Sequence, residues 1–141
     1  MSGAAPNAAS ALQNLRVLCM TACKLEACPL ELPALTALSH LNLSSNLIYD
    51  FPPSMKSLAG LSVLTLRRNR LHSMPQVMLQ LTALTALDVS DNEEFQFTEA
   101  AVVTARMPRL ATFSFPTPCA ACVWTPATVR SPALARVPGL R

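Results

Sequence analysis

The sequence predicts an α/β fold of the solenoid type, in which short parallel strands stack side by side and irregular, 3-10 or helical segments return the chain between them. The main observation is a column of leucines, spaced 23 residues apart, at Leu18, Leu41, Leu64 and Leu87. A second column of asparagines at positions 46, 69 and 92 keeps the same spacing. Self-similarity at a period of roughly 20–50 residues is typical of solenoids and other repeat architectures.

Residues 38–52, LSHLNLSSNLIYDFP, show why each repeat contains more than one element. Their leucines are spaced by three and then by two, whereas a helix requires three and four and a strand requires two throughout. Residues 61–75, LSVLTLRRNRLHSMP, repeat the pattern, and residues 15–29 and 84–92 carry it with a few replacements. A short strand followed by a turn and a return segment therefore fits each repeat.

These repeats resemble the typical leucine-rich repeat of intracellular proteins, LxxLxxLxLxxNxLxxLPxxLxxL, over residues 12–115. The resemblance implies four repeats and a partial fifth, with the strands on a concave face and the return segments on a convex face. Short strands are expected around the four column leucines, which should all be buried, and a weaker strand is expected near Phe113. Parallel strands need long connections, and the return segments provide them.

The asparagine column is expected to have a structural role at the turn after each strand. Asn46, Asn69 and Asn92 should point inward and bond backbone groups of their own and the neighbouring coil, since buried backbone groups need partners. Cys23 occupies this column in the first repeat. A thiol is a weaker donor but a small apolar group, and the resemblance makes it a tolerated replacement.

The fourth repeat departs from the period, because the next leucine-like frame comes three residues late. Residues 98–107, TEAAVVTARM, are therefore expected to form a longer helical return. Residues 1–11 form a short Ala-rich segment. Residues 116–141 contain five prolines and no acidic residue, and they are expected to be disordered.

Composition restricts the function. Three of the eleven lysines and arginines lie in the tail, and the other eight balance the eight acidic residues, so no nucleic-acid-binding stripe is expected. No apolar run is long enough to span a membrane, and the first 13 residues do not resemble a secretory signal. The five cysteines are then expected to be reduced thiols of a cytoplasmic protein.

No motif predicts catalysis, a cofactor or a metal. Cys119 and Cys122 have CxxC spacing but lack two further ligands at zinc-site spacing. His40 and His72 have no serine or cysteine at a recognisable nucleophile spacing. The chain is therefore predicted not to be an enzyme.

The outward strand positions are the predicted partner-binding site, because the equivalent concave surface in similar proteins often binds protein. The selected residues are His40, Asn42, Ser44, Thr65, Arg67, Arg68, Asp88 and Asp91. The alternative is a solvated face on which Arg68 and Asp91, in one column of adjacent coils, neutralise each other.

The predicted function is a non-catalytic module that binds a partner protein. Two alternatives remain open. The chain could be a regulatory segment or fragment of a larger signalling enzyme, such as a kinase, phosphatase or cyclase. It could also be a truncated product without stable function.

Overall fold

The computed structural model describes residues 12–96 and 106–114. Five short strands form one sheet, and each strand pairs in parallel with the next along the chain. The strands are β1 (Val17–Cys19), β2 (His40–Asn42), β3 (Val63–Thr65), β4 (Ala86–Asp88) and β5 (Thr112–Ser114). The predicted solenoid and its strand positions are confirmed.

The register of the sheet aligns one core position in every strand. Leu18 pairs with Leu41, Leu41 with Leu64, Leu64 with Leu87, and Leu87 with Phe113. The first three steps are 23 residues long and the last is 26, as the shifted frame predicts. We number the coils from the residue that begins each frame: coil 1 is 15–37, coil 2 is 38–60, coil 3 is 61–83 and coil 4 begins at 84.

Each described return segment contains a short 3-10 helix. These helices are Leu32–Ala34, Pro53–Ser57 and Gln76–Gln80. The last two follow Pro52 and Pro75, whose carbonyls accept bonds from the amides of Met55 (3.0 Å) and Met78 (2.9 Å). Proline has a fixed φ and no amide donor. It suits the first position of such a turn, because the residue there takes part only through its carbonyl, as an acceptor.

The core lies between the sheet and the return segments. The inward leucines of the strands in coils 2 to 4 are at most 1% exposed. Leu18 is only half-buried, so the prediction that all four column leucines are buried is wrong for this residue. Leu18 lies on β1, the first strand of the sheet order, which pairs only with β2 among the described strands.

The asparagines link each coil to the one before it. The Nδ2 of Asn69 donates to its own coil at the Leu66 carbonyl (2.9 Å) and to the preceding coil at the Leu43 carbonyl (3.0 Å). Its Oδ1 accepts from the Ile48 amide (3.1 Å). Asn46 and Asn92 repeat this arrangement one coil earlier and one coil later. All three side chains are buried.

Cys23 differs from the asparagines in its column. Its side chain is exposed, and its thiol reaches only the Thr21 carbonyl of its own coil, at 3.5 Å. The Oδ1 of Asn46 instead accepts the Cys23 amide (3.0 Å). A cysteine therefore suffices here because coil 1 has no earlier described coil whose backbone groups need a partner.

The residue before each column position has a left-handed backbone. Ala22, Ser45, Arg68 and Asp91 have φ between 54° and 57°. This conformation is unfavourable for residues other than glycine by roughly 1–2 kcal/mol. It turns the chain sharply after the strand, so that the following asparagine points into the core.

Several predictions concern residues outside the described ranges. These are the segment 1–11, most of the longer return at 98–107, the tail 116–141 and the CxxC pair of Cys119 and Cys122. Among the residues that are described, no helix has the length and hydropathy that a bilayer span requires.

The buried thiol of Cys28 gives a pH-dependent prediction. Burial raises the pKa of Cys28 from 9.0 to about 12. The unfolded chain therefore loses this proton first, and the folded state should lose stability as pH rises from about 9 towards 12. Denaturation at several alkaline pH values should show a steeper decline for the wild type than for Cys28→Ala. Identical slopes for the two proteins would contradict this account.

Candidate functional site

The sheet presents two outward columns of side chains across β1 to β4. Alternation along each strand sends the central residue into the core and its two neighbours to the opposite side. The first column contains Val17, His40, Val63 and Ala86. The second contains Cys19, Asn42, Thr65 and Asp88. We call these the apolar column and the polar column of the concave face.

The apolar column places aliphatic side chains at the surface. Val17 is 62% exposed, and Val63 and Ala86 are each partly exposed. His40 lies between the two valines and is exposed. Only the histidine of this column is among the site residues selected from the sequence, although alternation along the strands also predicts that the two valines and the alanine face outward.

His40 is held in a defined orientation. The Ser39 hydroxyl donates to the Arg16 carbonyl (2.9 Å) and lies 2.9 Å from Nδ1 of His40. Because that hydroxyl has one proton and gives it to the carbonyl, Nδ1 of His40 must be the donor in the second bond. The imidazole is exposed, and this bond fixes its orientation on the face.

The polar column is ordered by bonds at the ends of the strands. The Ser44 amide (3.0 Å) and hydroxyl (2.7 Å) donate to Oδ1 of Asn42. The Ser90 amide donates to Oδ1 of Asp88 in the same way, at 2.9 Å. These side chains are partly exposed, so their remaining polar atoms are available on a surface whose geometry is already fixed.

A charged cluster borders the polar column. Nε and Nη2 of Arg67 both lie 2.9 Å from Oδ2 of Asp91. Nε of Arg68 is 3.4 Å from the same oxygen. The hydrogen bond from Arg67, followed by the positive charges of Arg67 and Arg68, lowers the pKa of Asp91. The repeat spacing predicts Arg68 as the neutralising partner, whereas the structure places Arg67 closer to Asp91.

The structure thus brings all eight predicted site residues to the sheet or to its bordering turns. They offer hydrogen-bond donors, acceptors and charges next to an apolar strip, which suits non-covalent recognition. In the ranges 12–96 and 106–114, no three His, Cys, Asp or Glu side chains are grouped so as to hold a metal ion.

Comparison with known families agrees with this geometry. A family model described as "Leucine rich repeat" matches residues 36–93, which cover coils 2 and 3 and the start of coil 4. No curated protein matches the chain. Residues 36–93 therefore match leucine-rich repeats, and the parallel sheet is consistent with a leucine-rich repeat solenoid. Repeats of this family are generally protein-interaction modules and are typically non-catalytic.

Proposed function

We propose that this protein is a non-catalytic module that binds a partner protein on its concave face. The observation that carries the proposal is the apolar column, which exposes Val17, Val63 and Ala86 beside an ordered polar column. Protein interfaces combine an apolar centre with a polar rim. The two columns and the bordering arginines offer this combination on one continuous surface.

The charges of the face favour a protein over a nucleic acid. Asp88 lies on β4, and Asp91 lies in the turn that follows it, beside the two arginines. Nucleic-acid binding depends on positive charge that neutralises phosphates. The two carboxylates would repel phosphates, whereas a protein surface can place its own donors or cations against them.

The proposal includes a reducing compartment, the cytoplasm, as the location. Cys19 and Cys23 are free and exposed, and Cys28 is free and buried. Exposed thiols persist in reducing surroundings and are oxidised readily elsewhere. No cofactor is required for the proposed activity.

A charge-reversal pair tests the concave face. Arg67→Glu with Arg68→Glu should weaken binding of a partner captured with the wild-type chain by more than about tenfold, because arginines are frequent hot-spot residues and fork onto carboxylates. Affinity and melting temperature should be measured on the same protein. The fold should persist, since both side chains are exposed.

The matched control makes the same change of charge elsewhere. Lys56 and Arg109 are exposed and lie outside the strands, so Lys56→Glu with Arg109→Glu should bind the partner normally. An unchanged affinity in the concave variant, or an equal loss in both variants, would rule out the concave face as the specific site.

A further inference from the structure

Charge is segregated between two neighbouring coils. Coil 3 carries three arginines, Arg67, Arg68 and Arg70, and no acidic residue. The described start of coil 4, residues 84–96, carries four acidic residues and no lysine or arginine: Asp88, Asp91, Glu93 and Glu94. These four are half of the eight acidic residues in the chain. The surface therefore changes from basic to acidic across one coil boundary.

A groove crosses this boundary at the turns that follow the strands. It has a volume of about 870 Å³ and extends from Leu47 in coil 2 to Glu93 and Glu94 in coil 4. Arg70 and His72 line it from coil 3. The groove shares Arg68 and Asp91 with the charged cluster that borders the concave face, but its lining includes no residue of the apolar column or the polar column.

Two charges in the groove have no ionic partner within the described chain. Asp91 is paired with the arginines before the turn, and Nε2 of His72 lies 2.6 Å from Oε2 of Glu94. Arg70 and Glu93 are exposed and form no ion pair with another described residue. They occupy the same position of adjacent coils, 23 residues apart. The groove thus keeps one free cation beside one free anion.

We propose that this groove binds a second copy of the chain in a two-fold symmetric dimer. A two-fold axis that passes between two adjacent patches of opposite charge places each patch against its opposite on the partner, so the surface is self-complementary. Arg70 of each protomer would then face Glu93 of the other, and Leu47 would supply an apolar contact at one end of the groove. Each free charge acquires a partner in this arrangement.

The dimer is held mainly by interactions between charges, and its stability should therefore depend on the salt concentration. Interactions between exposed charges are screened within about 10 Å at 0.1 M salt and about 3 Å at 1 M. Self-association should therefore be strongest in dilute buffer and weaken steadily as salt is added.

Sedimentation equilibrium of the full chain tests the proposal. A reductant is kept present because Cys19 and Cys23 are exposed. The wild type should dimerise at low salt. Arg70→Glu and Glu93→Arg, each alone, should weaken dimerisation by at least about tenfold, because each puts like charges in contact at both symmetric positions.

The decisive measurement mixes the two single variants. Arg70→Glu leaves the groove acidic and Glu93→Arg leaves it basic, so the two proteins should form a heterodimer although each is monomeric alone. The double variant, with both substitutions, should dimerise like the wild type. Lys56→Glu is the control for a change of net charge alone and should not affect dimerisation.

Two results would overturn the proposal. A wild type that remains monomeric at every concentration would show that another protein, or solvent, occupies the groove. A wild-type dimer that survives both single substitutions would place the dimer contact elsewhere. Arg70 and Glu93 lie outside the concave-face residues reversed in the partner-binding test, so either proposal can fail while the other holds.

Discussion

Asn69→Ala is expected to lower the free energy of unfolding by about 3 kcal/mol, since a buried polar group left without a partner costs roughly 1–3 kcal/mol. The substitution would remove the partner of the Leu43 and Leu66 carbonyls and of the Ile48 amide. Asn69 itself is only 7% exposed, so water has little access to replace it. Urea denaturation followed by circular dichroism measures the change.

Cys23→Ala is the matched control, because it changes the same column at a coil where the side chain is exposed. Its thiol makes one long contact within its own coil, and its loss should cost less than about 0.5 kcal/mol, as for most surface substitutions. Equal losses of unfolding free energy in the two variants would show that the inter-coil hydrogen bonds of Asn69 do not stabilise the fold.

Leu64→Ala is expected to cost about 3–4 kcal/mol, within the range of about 2–5 kcal/mol for leucine deleted from a packed core. Leu64 is fully buried and lies on β3, the central strand of the sheet. A cavity there would affect packing against two neighbouring coils, and solenoids are stabilised mainly by such contacts between adjacent coils.

Leu18→Ala tests the same column at the first strand. Leu18 is half-buried, so less apolar surface is removed from the core and the cavity opens to solvent. We expect a loss of about 1 kcal/mol, because the cost follows the buried area that is lost. A loss at Leu18 as large as that at Leu64 would indicate that coil 1 is packed as tightly as the central coils.

Local periodicity accounts for the success of the strand predictions. The column of Leu41, Leu64 and Leu87 identifies one strand for each repeat, because a side chain points inward at every second strand residue and only apolar residues are stable there. The 26-residue step to Phe113 follows from the same frame. These features depend only on the residues of one coil and of its immediate neighbour. The sequence of two consecutive repeats is therefore enough to predict them.

The candidate site could be predicted only in part. Outward positions follow from alternation, so the placement of Asn42, Thr65 and Asp88 required no tertiary information. The bond from Nδ1 of His40 to Ser39 depends on the Arg16 carbonyl of the preceding coil, 23 residues away. Likewise, both arginines at 67 and 68 lie near Asp91, and their distances to it depend on side-chain conformations that repeat spacing does not specify.

The sequence by itself determined the repeat, the parallel strands and the inward-facing columns, because each follows from the spacing of apolar residues. Tertiary structure decided which members of a column are buried. Leu18 and Cys23 share their columns with fully or nearly buried residues, yet Leu18 is half-buried and Cys23 is exposed. Place in the sheet order does not decide this alone, because Leu18 on β1 is half-buried whereas Phe113 on β5, the last described strand, is 1% exposed. The free charges of Arg70 and Glu93 were likewise decided by the packing of coil 3 against coil 4, which pairs the surrounding charges and leaves these two available.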